Sequence, residues 1–151
     1  MRWFISNRAD ESVLPLVDRH YNRQSIGSDQ FVPPGRCIVL KTIAANAVWV
    51  TSWPFPAYVK HAWAGAWVNS LFRNESVAYL SSELIREAIA ATRSIWNPPP
   101  LGMVTFVDAS KIRRKRDPGR CYRRAGFKHV GFSHDSVAVQ TIQKIVWSDA
   151  G

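Results

Sequence analysis

The residues best suited to do chemistry in this chain lie in one short stretch, DPGRCYRRAGFKHVG, at positions 117–131. Tyr122 stands four positions before Gly126 in this stretch, and arginines surround it. A phenol has a pKa of about 10 and a thiol one of about 8.5, so a neutral tyrosine can protonate a departing thiolate or orient a donor molecule. The alternative is a half-buried aromatic side chain on the inner face of a short helix, and the residue types alone allow both.

Positive charge is concentrated around this tyrosine. The 151 residues include 20 Lys+Arg against 11 Asp+Glu, for a formal net charge of +9, and eight of the 20 lie between positions 111 and 124. Clustered cations neutralise phosphate groups, which predicts DNA contacts. The predicted DNA-binding residues are Lys111, Arg113, Arg114, Lys115, Arg116, Arg120, Arg123 and Arg124. A solvated surface loop is the other interpretation of such a charge run.

Asp108 is the second candidate catalytic residue, because it ends the apolar run MVTFVD. A carboxylate at the C-terminal end of a strand can face a cleft and accept a proton there. The alternative is an aspartate that starts the turn DASK.

A third polar cluster, Arg73, Asn74 and Ser76, precedes an amphipathic stretch. Arg73 and Asn74 are candidates for binding substrate or donor, because arginine pairs with phosphates and the first turn of a helix attracts anions. Ser76 is a third candidate catalytic residue. Simple helix capping by Asn74 or Ser76 is the alternative. Tyr21, in the first polar loop, is predicted to close over the site.

The pattern of apolar residues predicts the elements that must position these side chains. Strands are expected at positions 3–6, 36–44, 47–55, 61–72, 102–108, 127–132 and 136–147, with helices at 9–21, 76–92 and 118–125. In the central run 61–72, strict alternation predicts Trp67, Asn69 and Leu71 on one face. For the last helix, of about two turns, Asp117 is the expected cap, Pro118 the first residue and Gly126 the left-handed end. The order β-α-β-β-β-α-β-α-β-β indicates one domain, 1–151, of the mixed α/β or α+β class.

This order, combined with Tyr122, Gly126 and Phe127 in the spacing Y-x-x-x-G-F, resembles the GNAT acyltransferase fold. The resemblance implies a mixed, mostly antiparallel central sheet flanked by helices. A narrower resemblance lies in LFRNES (71–76), MVTFVD (103–108), GRCYRRAGFKHVG (119–131) and DRHYNRQSIG (18–27). Together these segments are similar to the phage Mom-type proteins, which modify adenine in the phage DNA and so shield it from restriction.

The narrower resemblance implies a transferase that acts on the exocyclic amine of adenine in double-stranded DNA and takes a group from a small-molecule donor. Asp108 would act as general base or accept a hydrogen bond from that amine, and Tyr122 would protonate the leaving group. GNAT enzymes hold the coenzyme A pyrophosphate on a glycine-rich turn at a helix N-terminus. The corresponding stretch here, RNESVAYLSSEL, has no glycine. The donor is therefore left open, with acetyl-coenzyme A or a related acyl donor not held in the usual manner.

Two other functions fit the same residues. One is a conventional acyl-CoA N-acetyltransferase acting on a small amine or a protein, and the other is a non-catalytic DNA-binding module on a GNAT scaffold. The four histidines and two cysteines show no metal-ligand spacing, so no metal is expected. No apolar stretch reaches 18 residues and the start lacks an apolar signal, so we expect no membrane partner and a cytoplasmic location, the bacterial host cytoplasm if the chain is phage-encoded.

Overall fold

Ten elements follow one another in the computed structural model, which describes residues 2–18, 35–59, 62–108, 119–134 and 139–146. They are β1 (Phe4–Ile5), α1 (Leu14–Asp18), β2 (Arg36–Lys41), β3 (Ala47–Trp53), β4 (Trp67–Asn74), α2 (Ser81–Ile95), β5 (Met103–Asp108), α3 (Arg120–Arg124), β6 (Lys128–His134) and β7 (Val139–Ile145), with a short 3-10 turn at Pro56–Tyr58. This confirms the predicted order of strands and helices.

The seven strands form one sheet in the order β1-β2-β3-β4-β5-β7-β6. Five of the six neighbouring pairs are antiparallel, and β4 with β5 is the parallel pair. The expected mixed, mostly antiparallel sheet is therefore correct, and so is the central position of β4.

Helices cover both faces of the sheet. On one face, Val13, Leu16 and Val17 pack against apolar residues of β2, β3 and β4. On the other face, α2 and α3 bury a larger cluster that includes Trp49, Trp67, Leu84, Ile85, Met103, Tyr122 and Phe127. Full burial of such side chains stabilises the fold by about 1.5–3 kcal/mol each. The two helices on the second face therefore lie over the strands that carry the candidate site.

Helix α2 begins five residues later than predicted. The expected cap was Asn74 or Ser76, but the N-cap residue is Leu80 and it makes no side-chain cap bond. Val77 is fully exposed and Leu80 is largely so, although both fit the helical spacing of the sequence. The prediction was wrong because the amide of Asn74 holds residues 74–81 as a loop, donating to the carbonyl of Tyr79 at 3.0 Å and to Oγ of Ser81 at 3.1 Å.

Helix α3 is shorter than expected, with five residues, and Gly119 at φ +80° is its N-cap. Its C-terminal end was predicted correctly, since Gly126 has φ +111°. Two bonds close this end: Phe127 N–H to the Tyr122 carbonyl at 3.0 Å, and Gly126 N–H to the Arg123 carbonyl at 3.1 Å. This is the Schellman pattern, which pairs a side chain after the glycine with one in the last turn. The expected cap Asp117 and first residue Pro118 lie outside the described residues.

Candidate functional site

The two central strands separate from each other partway along their length. β4 and β5 pair at Trp67 with Met103, Val68 with Val104 and Asn69 with Thr105. Beyond Asn69 and Thr105 both strands continue, β4 to Asn74 and β5 to Asp108, without further pairing between them. We call this opening, bounded by residues 70–74 and 106–108, the β4–β5 fork. Parallel strands that part in this way leave unpaired backbone groups facing each other, where a ligand can bind.

Asn69 organises the apex of the β4–β5 fork and is only 3 % exposed. Its Nδ2 donates to the carbonyls of Val50 at 3.0 Å and Leu71 at 2.9 Å. Its Oδ1 accepts from the hydroxyl of Tyr122 at 2.5 Å and from Oγ1 of Thr105 at 3.2 Å. All hydrogen-bonding capacity of the side chain is used, which fixes Tyr122 at the point where the strands part.

Tyr122 points into the protein, as expected from the sequence, and is 8 % exposed. Its ring makes edge contacts with Phe127 at 5.3 Å and with Phe72 at 6.2 Å between ring centroids. The contact with Phe127 is the side-chain contact of the Schellman pattern. The end of α3 and the orientation of the phenol are therefore one structural unit.

A β-bulge explains why the sequence pattern did not predict Asn69 as a residue of the site. Val50 pairs with Leu71 and Thr51 with Asn69, so Ser70 is skipped. The extra residue shifts the alternation, and Leu71 packs on the α1 face while Asn69 and Phe72 both reach Tyr122. The predicted shared face for Asn69 and Leu71 was therefore wrong, and residues 62–66 precede the strand. The signal in the sequence that could have pointed to Asn69 is its polar side chain within an otherwise apolar strand.

Asp108 is the last residue of β5 and pairs with Gln140 of β7. It thus borders the β4–β5 fork on the strand opposite Asn74. The side chain of Asp108 lies outside the described part of the chain, and its expected role as a base stays a prediction.

The polar cluster at the end of β4 makes short-range contacts with the loop that follows the strand. Asn74 Oδ1 accepts from the backbone N–H of Ser76 at 2.9 Å and from the Ser76 hydroxyl at 2.5 Å. Arg73 Nε donates to the carboxylate of Glu75 at 2.9 Å. These contacts give Asn74 and Ser76 a role in shaping the loop at the open end of the β4–β5 fork. Their predicted roles in binding and catalysis are not tested by this geometry.

The outer side of α3 is cationic. Arg120 and Arg124 are exposed and Arg123 is partly exposed, whereas Tyr122 between them is buried. A guanidinium N–H of Arg86 on α2 donates to the carbonyl of Arg124 and ties the two helices together. Lys111, Arg113, Arg114, Lys115 and Arg116 lie outside the described residues, as does Tyr21. The cationic surface is thus described for its α3 part alone.

Within the described ranges, no three His, Cys, Asp or Glu side chains approach closely enough to hold a metal ion. Among the helices of those ranges, none has both the length and the apolar character needed to cross a bilayer.

Comparison of the chain with models of known protein families, with curated proteins and with solved structures gave no match.

Proposed function

We propose that this protein is a GNAT-like transferase of the phage Mom type, which modifies the exocyclic amine of adenine in double-stranded DNA and thereby protects the DNA from restriction. The observation that carries this proposal is the hydroxyl of Tyr122 held by Asn69 at the apex of the β4–β5 fork. A buried phenol beside an opening between parallel strands suits the protonation of a leaving group.

The position of positive charge supports DNA as the partner. The same five-residue helix that buries Tyr122 exposes Arg120 and Arg124 on its outer side. A protein that encloses one base must also neutralise the phosphates around it, and the base must first leave the duplex. One short helix can therefore contribute both to the chemistry and to the grip on the backbone.

The proposed reaction forms a bond from N6 of adenine to an electrophilic carbon of the donor. The bond between that carbon and its leaving atom breaks, and the leaving group takes the bonding pair. The amine loses one proton to a base, for which Asp108 is the candidate, and the leaving group gains one from Tyr122. Adenine N6 is a poor nucleophile because its lone pair is delocalised into the ring. Removal of a proton from the amine by a base makes the nitrogen a better nucleophile.

The donor stays open; an acyl donor such as a thioester would be bound differently from the usual coenzyme A pyrophosphate. Two features at the start of α2 and in the loop before it support this difference in binding. Asn74 closes the loop with its own side chain, and the first turn of α2 carries the acidic Glu83. A carboxylate at a helix N-terminus disfavours a second anion there.

Mass analysis of nucleosides tests the proposal directly. The protein is co-expressed with a plasmid in several bacterial hosts. The plasmid deoxynucleosides are then separated, and their masses are measured by mass spectrometry. The expected result is a heavier deoxyadenosine that disappears with Tyr122→Phe and with Asp108→Asn. Unaltered adenine in every host contradicts the proposal. Turnover of acetyl-coenzyme A on amines without any change in DNA would instead favour the conventional N-acetyltransferase.

A further inference from the structure

A row of buried polar side chains crosses the sheet on the face that carries α2 and α3. Thr51 of β3 pairs with Asn69 of β4, Asn69 with Thr105 of β5, and Thr105 with Gln143 of β7. All four are at most 3 % exposed. Neighbouring strands lie about 4.8 Å apart, so Gln143 follows the Asn69–Thr105 pair by one strand spacing.

In the described part of the structure, the side chains of three members of this row are hydrogen-bonded, and the side chain of the fourth, Gln143, is not. Thr51 Oγ1 accepts from Trp49 Nε1 at 2.7 Å, and Thr105 Oγ1 donates to Asn69. In the described part of the structure, neither Nε2 nor Oε1 of Gln143 has a hydrogen-bond partner, although the residue is 0 % exposed. An unsatisfied buried polar group costs about 1–3 kcal/mol, so an amide with both ends unpaired calls for an explanation, and a ligand that pairs with it is one.

The amide lies against the start of α3. A methyl group at Gly119 would be 3.1 Å from both Cδ and Nε2 of Gln143 and 3.2 Å from Nη1 of Arg123. The backbone of Gly119 therefore lies so close over the amide that the side chain of any other residue would press on it. Gly119 also has φ +80°, which favours glycine.

Different contacts hold the two ends of α3 in the described part of the chain. The C-terminal end is closed by the Schellman bonds and by the Tyr122–Phe127 contact. At the N-terminal end, the carbonyl of Gly119 accepts from the N–H of Arg123 at 3.0 Å. A small outward movement of the N-terminal end, with the Tyr122 end fixed, would expose the amide of Gln143 beside the apex of the β4–β5 fork.

We infer that Gln143 is the residue that recognises the target base, an inference that rests on the proposed adenine modification. A carboxamide offers one acceptor and two donors in a plane, and Gln pairs with adenine by accepting from N6–H and donating to N7. This contact selects adenine over guanine, which has a carbonyl oxygen in place of the amine. It also leaves the second N6 proton for a base, so the same bond orients the attacking nitrogen.

The variant Gln143→Leu tests the inference, because it removes both unpaired atoms and puts an apolar side chain of similar size in their place. Binding is measured by fluorescence anisotropy on duplexes that differ only at one unpaired position: adenine, guanine or an abasic site. We expect the native chain to bind the adenine duplex roughly tenfold more tightly than the other two. Gln143→Leu should lose this preference while its affinity for the abasic duplex stays the same.

Thermal melting separates recognition from a structural role. Replacing two unsatisfied atoms by carbon should leave the Tm of Gln143→Leu equal to or above that of the native chain. The control is Thr51→Val, at the other end of the buried row, which should lower the Tm and keep the preference for adenine. A native chain without preference, or a Gln143→Leu variant that retains it, overturns the inference.

The failure of this inference and that of the proposed function give different results. If plasmid adenine is modified equally by the native chain and Gln143→Leu, the transfer reaction stands and Gln143 does not select the base. If the preference for unpaired adenine depends on Gln143 but no adenine mass changes, base recognition stands and the transfer reaction fails.

Discussion

The hydroxyl of Tyr122 on α3 lies 2.5 Å from Oδ1 of Asn69, at the last residue pair that joins β4 to β5. The same Asn69 donates to two carbonyls beside the bulge, those of Val50 and Leu71. The side-chain amide of Asn69 therefore bonds the backbone carbonyls where the bulge interrupts the β3–β4 pairing. It also holds the phenol of Tyr122 at the apex of the β4–β5 fork. The β-bulge, the divergence of the strands and the orientation of Tyr122 depend on this side chain together.

Tyr122→Phe should separate the chemistry of the phenol from its packing. The substitution keeps the ring contacts and leaves Asn69 Oδ1 with the Thr105 hydroxyl at 3.2 Å, so we expect a stability loss of about 1 kcal/mol. The rate of adenine modification should fall roughly 10²-fold or more, since a general acid is lost. Denaturant unfolding and nucleoside mass analysis measure the two effects.

Thr105→Val is the matched control for that variant. It removes the other hydroxyl that donates to Asn69 Oδ1 and should cost a similar amount of stability, with activity largely kept. Equal loss of activity in both variants would mean that the Asn69 network, rather than the phenol, supports the reaction.

Removal of positive charge from α3 should weaken the salt dependence of DNA binding. Each phosphate contact contributes about 0.9 to the slope of log K against log salt concentration for B-DNA. The double variant Arg120→Ala with Arg124→Ala should therefore reduce the slope by roughly 1–2. Fluorescence anisotropy over a series of salt concentrations measures it.

The charge-matched control for this experiment is Arg2→Ala with Lys41→Ala. Both residues contact carboxylates, Arg2 those of Glu83 and Glu87 and Lys41 that of Asp10. The slope of this control should stay near the native value. A change as large as in the α3 variant would mean that net charge, and not the outer side of α3, governs binding.

Asp10 should make stability depend on pH at the N-terminal end of the chain. Its carboxylate accepts from Lys41 Nζ at 2.7 Å and from the hydroxyls of Ser6 and Ser12, and these bonds lower the pKa of Asp10 well below its usual range. A lowered folded-state pKa stabilises the fold above the unfolded pKa of about 3.9, and the contribution is lost as the pH falls below it.

Asp10→Asn should accordingly lower the Tm by about 3 °C at pH 7. Below about pH 4 the difference from the native chain should shrink, because the Asp10 carboxyl of the unfolded chain then takes up a proton and the unfolded state gains stability relative to the folded state. Melting curves between pH 7 and pH 3 provide the measurement. A difference that stays constant over this range would show that charge on Asp10 is not the cause.

Gly102→Ala should strongly destabilise the junction between β5 and β7. A Cβ at Gly102 would lie 1.9 Å from the carbonyl oxygen of Ile145, and the residue has φ +78°. We expect a loss of about 3 kcal/mol or more in the free energy of unfolding. Gly65→Ala is the control, since Gly65 has φ +101° but its nearest contact would be Leu101 Cδ1 at 3.8 Å. A similar loss in both variants would assign the effect to backbone conformation alone.

The sequence by itself determined the order of the elements, the buried strand β5 and the left-handed end of α3 at Gly126. These depend on local physics: the period of apolar residues and the φ angle that glycine tolerates. Local patterns failed at the start of α2, because Val77 and Leu80 match the period of a helix while Asn74 holds them in a loop.

Only the tertiary structure determined the site around these elements. A β-bulge exists through the partner strand, so nothing within β4 alone reveals that Asn69 and Phe72 share a face. The row from Asn69 to Gln143 joins residues up to 74 positions apart by strand register, which local spacing does not encode. The unpaired amide of Gln143 becomes visible only when its surroundings are known, because hydrogen-bond satisfaction is a property of the folded neighbourhood.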